Sequence, residues 1–335
     1  MAKVFISGIA GFLGSHLADR LLASGHEVFG CDNMLGGYSD NVPNGAQFHN
    51  VDTQNFEAMK ELLRGMEVVY HCAAAPHEGL SVFSPKLIND HTYNSTVAIL
   101  TAAIVDNVKR FVFTSSMARY GTQKTMPFTE EQIPCPQDPY GIAKYASELQ
   151  IKTLCNAHGV EYAIAIPHNI IGTRQKYDDP FRNVVAIMIN MMLQGRQPII
   201  YGDGEQQRCF SFVEDVVHPM EKLGFQDNVA GHLFNVGPDE ETITINELAR
   251  RIAKQLNFHL NPVYLPDRPL EVRIATCSAD KARNMLGYKT TRSLNEGIAD
   301  MIAWIEKRGV KKFEYHLPLE IISEKTPKSW KEKMF

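Results

Sequence analysis

The sequence lacks a long uninterrupted apolar run, and this absence excludes a membrane-spanning helix from the expected structure. A strand-like pattern already begins at Lys3, so there is no room for the charged region and apolar core of a signal peptide. We therefore expect a cytoplasmic protein that has no membrane partner.

A surplus of charge of one sign is also missing. The chain carries 34 Lys and Arg against 38 Asp and Glu, which gives a formal net charge of −4. Proteins that bind nucleic acid or anionic membranes usually carry a basic patch or an excess of cations. We expect neither partner, and any bound anion must be held by local arginines and backbone N–H groups.

Closely spaced cysteines are the third absence. The chain has no CxxC pair, and no histidines stand at the spacing of metal ligands. We expect free thiols in a reducing compartment and no metal site. The six cysteines are Cys31, Cys72, Cys135, Cys155, Cys209 and Cys277.

Short apolar segments rich in β-formers alternate with helical patterns through the first half of the chain. Such alternation predicts a parallel sheet covered by helices on both faces, the doubly wound Rossmann class of α/β fold. The predicted strands are Lys3–Ser7, Val28–Cys31, Glu67–Ala73 and Arg110–Ser115, and two of the predicted helices are Asn55–Arg64 and Thr92–Asn107.

The second half has longer loops with many prolines, and it contains no repeats. We predict a dinucleotide-binding domain over residues 1–165 and, over 166–335, a smaller C-terminal α/β lobe that binds substrate, with some segments returning to the first domain. Ile199–Ile200 and Leu233–Val236 could be strands of either part. Residues 313–335 carry no motif that we can interpret.

Three glycines, Gly8, Gly11 and Gly14, stand between the first strand and the first helix. There they permit a sharp turn, a close approach to a pyrophosphate and tight helix–strand packing. Asp32 ends the second strand 18 residues after Gly14. A carboxylate at that place accepts both ribose hydroxyls and repels a 2′-phosphate, which favours NAD over NADP. Asp52 is either a ligand of the adenine amino group or a simple loop or cap residue.

Tyr140 and Lys144 are four residues apart and therefore share one face of a helix. Such a pair is usually a solvated helix face, but Ser115 and Ser116 follow a strand about 25 residues upstream. A serine hydroxyl, a phenol and an ammonium group form the set that moves a proton to or from a reacting oxygen. We expect Lys144 and an oxidised nicotinamide to lower the pKa of the Tyr140 phenol.

With these residues in place, the chain resembles the extended short-chain dehydrogenase/reductase family, and within it the nucleotide-sugar epimerases such as UDP-hexose 4-epimerases. The similarity extends from residue 3 to about residue 305. It rests on the glycine loop, Asp32, Asp52, His71–Ala75, Asn94, Thr114–Ser116, Tyr140 with Lys144, Asn169, Gly202–Arg208, Arg268–Pro269 and Ala279–Arg283.

The resemblance implies a role for each matched position. Ser116, Tyr140 and Lys144 would be catalytic, and Asn169, Arg208 and Arg268 would hold a nucleotide diphosphate, although either arginine could instead be a surface ion-pair residue. It also implies a homodimer formed through Thr92–Asn107 and Tyr140–Asn156. The cofactor-binding positions would be Gly8, Gly11, Phe12, Leu13, Gly14, Asp32, Asp52, Ala73, Ala74, Asn94, Ser115, Tyr140 and Lys144.

The implied reaction is a 4-epimerisation. Tyr140 would take the proton of the sugar 4-hydroxyl while hydride leaves C4 for NAD, and the 4-keto sugar would turn about its diphosphate before hydride returns to the other face. Related dehydratases and decarboxylases carry acidic residues just after the Ser/Thr, where this chain has Met117, Ala118 and Arg119. Both lyase alternatives are therefore weaker. A GDP-mannose 3,5-epimerase also ranks low, because its cysteine is replaced by Ala118.

The sugar and the nucleotide base cannot be identified from the sequence. Ala275 aligns with a gate position that is small in enzymes accepting N-acetylhexosamines, which permits such a substrate without selecting it. We expect Arg119 and the segment His77–Ser81, which includes Glu78, to face the sugar. Arg119 there could favour a uronate, or it could simply pair with a surface carboxylate. UDP-glucose, UDP-N-acetylglucosamine and UDP-glucuronate all remain candidates.

Overall fold

The computed structural model describes residues 1–335 and contains fourteen strands and twelve α-helices. The strands are β1 (Lys3–Ser7), β2 (Glu27–Asp32), β3 (Gln47–Asn50), β4 (Val68–His71), β5 (Arg110–Thr114), β6 (Glu161–Pro167), β7 (Ile170–Ile171), β8 (Ile199–Tyr201), β9 (Gln207–Arg208), β10 (Ser211–Phe212), β11 (Leu233–Val236), β12 (Ile243–Thr244), β13 (Val263–Leu265) and β14 (Ile274–Ala275).

The α-helices lie between and after these strands. They are α1 (Phe12–Ala23), α2 (Phe56–Leu62), α3 (Glu78–Ser81), α4 (Pro85–Asn89), α5 (Ser95–Val105), α6 (Pro139–His158), α7 (Val184–Leu193), α8 (Val213–Phe225), α9 (Ile245–Gln255), α10 (Asp280–Leu286), α11 (Leu294–Arg308) and α12 (Lys328–Lys331). None of them is long and apolar enough to cross a membrane.

Seven of the strands form one parallel sheet in the order β11-β6-β5-β4-β1-β2-β3. The sheet grows outward from β1 in both directions, so the predicted doubly wound Rossmann fold is confirmed. The order changes direction beside β1, and in folds of this class ligands bind at the carboxyl ends of the strands near that point.

Successive residues of β1 point to opposite faces of the sheet, and each face carries its own core. Val4 and Ile6 pack with residues of α1, α8 and α10. Phe5 packs with residues of α2, α5 and α6 on the other face. Both faces are therefore covered, which accounts for the nearly continuous apolar strands that the sequence shows.

The remaining strands form three small sheets, β12-β9-β14, β13-β8 and β10-β7. They lie beside a third apolar cluster built from α7, α9 and α11. Of the two strands that the sequence could not assign, Leu233–Val236 is β11 and completes the large sheet, whereas Ile199–Ile200 belongs to β8 in a small sheet. The chain thus returns to the large sheet after residue 166.

Helix α6 carries the candidate catalytic pair. Asp138 caps it by accepting a hydrogen bond from the backbone N–H of Gly141 at 2.9 Å, and Pro139 occupies the first turn. The helix ends at Gly159, which has a φ of +73°. These start and stop signals fix Tyr140 in the first turn and place Lys144 one turn later.

The predicted helix Thr92–Asn107 is part of a longer helical stretch. It begins with α4, passes through a π-helical turn at Asp90–Asn94 and continues as α5 to Val105. The π turn changes the angular position of the side chains that follow it.

Candidate active site

A cavity of about 430 Å³ opens at the carboxyl ends of the strands of the large sheet. This volume lies in the range of sites for small molecules and cofactors. Residues of the glycine loop line it together with residues from beyond position 166, among them Asn169, Arg208 and Arg268. The fold therefore brings most of the predicted site residues into one space.

The glycine loop is packed too tightly for side chains. A Cβ on Gly14 would lie 2.2 Å from the backbone oxygen of Gly8, and one on Gly8, which has a φ of +76°, would lie 2.9 Å from the backbone nitrogen of Ala73. Gly8, Gly11, Phe12, Leu13 and Gly14 all line the cavity where α1 begins. Free N–H groups and the helix dipole at such a place favour a pyrophosphate.

Asp32 lies at the end of β2 and lines the same cavity. Its carboxylate accepts hydrogen bonds from the backbone N–H groups of Met34 at 2.8 Å and Ala10 at 3.2 Å. Burial raises the pKa of this carboxyl, while the backbone N–H groups lower it. A carboxylate held in this way can accept hydrogen bonds from ribose hydroxyls.

Two other residues predicted to bind the cofactor do not line the cavity. Asp52 accepts hydrogen bonds from the Asn33 side chain at 2.7 Å and from the backbone of Gln54 at 2.8 Å. Asn94 is exposed and donates to Asp90 at 3.0 Å, whereas His91, three residues earlier, lines the cavity. Both residues belong to the π turn Asp90–Asn94, which departs from regular α-helical geometry and so changes which side chains face the cavity.

Three further residues that were predicted to bind the cofactor line the cavity just after the ends of strands β4 and β5: Ala73, Ala74 and Ser115. The Ser115 hydroxyl donates to Glu148 of α6 at 2.5 Å. On the same helix, the Lys144 ammonium donates to the backbone carbonyl of Thr114 at 2.7 Å. These two contacts hold the end of β5 against α6 and thereby fix the distance between Ser116 and Tyr140.

Tyr140, Ser116 and Lys144 meet at the wall of the cavity. Burial lowers the pKa of Lys144 to about 7. Burial also raises the pKa of the Tyr140 phenol, and the neighbouring Ser116 side chain opposes this effect. Desolvation is the largest effect on the buried phenol, and the lowering of its pKa by Lys144 and an oxidised nicotinamide stays a prediction for the NAD complex.

Arg208 and Arg268 line the cavity as a pair joined by Glu271. Glu271 accepts two hydrogen bonds from Arg268, at 3.0 and 3.1 Å, and lies 3.6 Å from Arg208. The Arg268 guanidinium also stacks over the Tyr201 ring at 4.8 Å. Two guanidinium groups positioned in this way can chelate a diphosphate.

A small side cavity of about 60 Å³ adjoins the main one, and we call it the sugar arm. Ala275 and Ala118 are among the residues that line the sugar arm but not the main cavity, whereas five residues line both spaces. The shared residues are Glu78, Ser116, Pro167, Asn169 and Arg208.

His77 and Arg119, both predicted to face the sugar, lie elsewhere. The Arg119 guanidinium is buried and forms an ion pair with Glu148 at 2.8 Å. The His77 ring is buried and contacts Asp179 at 2.9 Å. Neither residue lines the main cavity or the sugar arm, because each is drawn inward by a carboxylate that is distant in the sequence.

Two charged residues that the sequence analysis did not single out, Asp138 and Arg182, line the main cavity. Glu78, from the segment that was predicted to face the sugar, lines it too. Asp138 had a visible signal, since Asp-Pro before a helical pattern marks a helix cap. Arg182 donates to the backbone oxygen of Gly36 at 3.0 Å, and no motif in the sequence around it indicates a place in the site. The orientation of Glu78 follows from the contact of the neighbouring His77 with Asp179, which is distant in the sequence.

The loop, the strand-end carboxylate and the cavity fit a dinucleotide, and the comparisons with known proteins agree. The model of the NAD dependent epimerase/dehydratase family matches residues 4–237. A UDP-glucose 4-epimerase of Mycolicibacterium smegmatis is 32% identical over 317 residues, which cover 91% of this chain and 99% of that protein.

Two solved structures share the fold over nearly their whole length. The UDP-glucose 4-epimerase of Thermotoga maritima with UDP-glucose superposes with a TM-score of 0.85 at 30% identity, covering 91% of this chain and 99% of that one. The UDP-glucose 4-epimerase of Thermus thermophilus in complex with NAD gives 0.84 at 28% identity, with coverages of 91% and 99%.

The fold and the Ser116, Tyr140 and Lys144 set define an enzyme of the extended short-chain dehydrogenase/reductase type. The chain belongs to the NAD dependent epimerase/dehydratase family. It is an isomerase with NAD as its cofactor.

Proposed function

We propose that this enzyme interconverts the C4 epimers of a UDP-hexose. The observation that carries the proposal is the position of Tyr140 and Ser116 in one cavity between the glycine loop and the Arg208–Arg268 pair. A sugar whose diphosphate lies on the arginines would present its ring to the phenol. The relatives named above, which are UDP-glucose 4-epimerases, support the same reaction.

In this proposal each residue of the chain has a separate task. Tyr140 takes the proton of the 4-hydroxyl and later returns it, and Ser116 orients the same oxygen. Lys144 holds the nicotinamide ribose and places a positive charge beside the phenol. NAD, when bound, supplies a reversible hydride acceptor at the sugar carbon.

Epimerisation also requires the 4-keto sugar to present its second face. The arginine pair suits this requirement because Glu271 fixes both guanidinium groups, so the diphosphate can stay anchored while the sugar ring turns. The glycine loop and Asp32 would hold the pyrophosphate and the ribose of NAD, and Asn169 would contact the substrate diphosphate.

The direct test is incubation with UDP-glucose, UDP-N-acetylglucosamine and UDP-glucuronate, followed by chromatographic separation of the epimers. At least one pair should reach an equilibrium mixture, and the Tyr140→Phe variant should lose activity by about 10²–10⁴-fold. The matched control is Tyr264→Phe, an exposed tyrosine away from the cavity. The proposal fails if none of the three sugars is interconverted.

A lyase reaction is the second candidate, and one observation favours it. No carboxylate follows Ser116, but the carboxyl groups of Glu78 and Asp138 reach the same cavity from other segments. A 4-keto-6-deoxy sugar or a pentose among the products of the same assay would establish the lyase instead.

The sugar arm bears on the choice of hexose. Ala275 is small and lines this arm, which leaves room for an acetamido group. We therefore include UDP-N-acetylglucosamine among the proposed substrates. We also propose a cytoplasmic homodimer that pairs through α5 and α6.

A further inference from the structure

Glu78 projects into the place where the main cavity and the sugar arm meet. It lines both spaces together with Ser116 and Arg208. Its side chain is accessible there, and its carboxylate takes part in none of the hydrogen bonds or ion pairs within the protein. The epimerisation proposed above gives this carboxyl group no task.

The backbone around Glu78 is rigidly held. His77, just before it, is buried against Asp179, and the hydroxyl of Ser81, three residues later, donates to the Glu78 carbonyl at 2.6 Å. On Gly79, a Cβ would lie 3.1 Å from Nη1 of Arg268, so the guanidinium packs directly beside this segment. The carboxylate is thus presented to the arm by a fixed support.

The charges that face Glu78 come from several elements. Asp138 at the start of α6 and Glu271 oppose its ionisation, whereas Arg208 and Arg268 favour it. Desolvation within the cavity, the largest effect, and the nearby Asp138 together raise the pKa of Glu78 to about 7. The two arginines are already paired with Glu271 and would be further neutralised by a substrate diphosphate.

We propose that Glu78 is the specificity-determining residue of the sugar arm, which accepts hydrogen bonds from a neutral hexose and excludes hexoses that carry a carboxylate. The inference rests on the proposed function and narrows its substrate class to neutral UDP-hexoses, with or without an acetamido group. A uronate would place its negative charge in an arm that already holds Glu78 and has no unpaired cation to receive it.

The test compares kcat/KM for UDP-glucose with kcat/KM for UDP-glucuronate in the wild type and in Glu78→Gln. The wild type should prefer UDP-glucose strongly. The variant should lower this preference on the order of 30-fold, as for two unit charges about 8 Å apart at an effective dielectric near 20. Glu131→Gln removes an exposed carboxylate away from the cavity and should leave the preference unchanged.

The pH dependence of the same ratio separates charge from shape. Ionisation of Tyr140 and Lys144 affects both substrates and cancels in the ratio. The preference of the wild type for UDP-glucose should rise as the pH increases through about 7, because Glu78 acquires its charge there, and it should be flat in Glu78→Gln. Efficient use of UDP-glucuronate by the wild type, or an unchanged ratio in the variant, would overturn the inference.

Calorimetric measurement of the affinities for UDP-glucose and UDP-glucuronate distinguishes failure of the Glu78 inference from failure of the proposed function. If no sugar is turned over, the proposed epimerisation fails, but the relative affinity for UDP-glucuronate should still rise in Glu78→Gln. If epimerisation occurs and the relative affinities and rates do not change, only the role of Glu78 is refuted. If the wild type forms a dehydratase product and Glu78→Gln does not, Glu78 takes part in acid–base chemistry, and its proposed role in substrate specificity is refuted.

Discussion

Arg119 and Glu148 form an ion pair where neither side chain reaches water, with exposed fractions of 2% and 0%. Burying two charges is costly, and their attraction compensates only when the geometry is good. Glu148 also accepts the Ser115 hydroxyl, and the Arg119 guanidinium lies over the Tyr120 ring at 4.8 Å. The pair therefore supports the end of β5, from which Ser116 extends.

Removal of one partner should be far worse than removal of both. Arg119→Met leaves Glu148 buried without a cation and should lower the free energy of unfolding by about 3–5 kcal/mol. Adding Glu148→Leu should restore much of this loss, because apolar residues of similar size can replace a buried pair. Urea denaturation measures both effects.

The exposed pair of Arg292 and Asp300 gives the matched control. Arg292→Met should cost no more than about 1 kcal/mol, as surface ion pairs contribute little. If Arg119→Met lowers the free energy of unfolding by no more than Arg292→Met does, the buried pair does not stabilise the end of β5.

Among the elements, the segment from Phe313 to Phe335 shows how much long-range packing contributes to the site. Trp330 is 2% exposed and packs edge-on against Phe83 and Phe181. The Tyr201 hydroxyl lies 2.6 Å from that of Ser329, and Phe335 lines the main cavity. The segment thus joins the two halves of the molecule and forms part of the cavity wall.

Truncation of Trp330 should affect stability and substrate binding together. Trp330→Ala should cost about 3–5 kcal/mol of unfolding free energy, the usual range for a buried tryptophan. It should also raise KM more than it lowers kcat, since the Phe335 wall moves while Tyr140 does not. Ile322→Ala, on the same segment but exposed, should change neither quantity. An unchanged KM would show that the segment does not shape the site.

The sequence predicts the elements near β1 well, because their apolar periodicity, their glycines and the Asp138 cap are local signals. It fails where an element departs from a regular helix or where partners are distant in the chain. Asn94, which the resemblance implied as a cofactor position, does not line the cavity, whereas His91 of the same π turn does, and nothing in the sequence marks this turn. His77 does not face the sugar because its carboxylate partner, Asp179, is distant in the sequence. For Arg119 the alternative of a carboxylate partner applies, but that partner, Glu148, is buried and not at the surface.

For the molecule as a whole, buried histidines make stability depend on pH. Burial lowers the pKa of His71 to about 3 and those of His16 and His168 to about 4. Below about pH 6.5 the unfolded chain binds protons that the folded protein does not, so stability falls as the pH decreases from 6.5 towards 4.

Urea midpoints measured between pH 7 and pH 5 should therefore decrease steadily. Each histidine contributes up to about 1.4 kcal/mol per pH unit in this window. The His71→Asn variant should show a shallower slope. A stability that is constant between pH 7 and pH 5 would contradict these burial effects.

Assembly is the second property at this scale. Ile142 and Leu149 lie seven residues apart on α6 and are 51% and 47% exposed, so they form an apolar face beside α5. Light scattering should show a dimer, and Ile142→Asp with Leu149→Asp should give monomers. The control Ile322→Asp, at a more exposed position, should remain dimeric. A monomeric wild type at micromolar concentration would refute the proposed pairing.

The central claim is that one sugar is oxidised and reduced again within a single turnover. The most direct measurement uses UDP-glucose deuterated at C4, with unlabelled NAD and mass-spectrometric analysis of the product. The account predicts UDP-galactose that keeps its deuterium at C4, with no net accumulation of NADH. Loss of the deuterium from the product, or NADH that builds up with turnover, would contradict it.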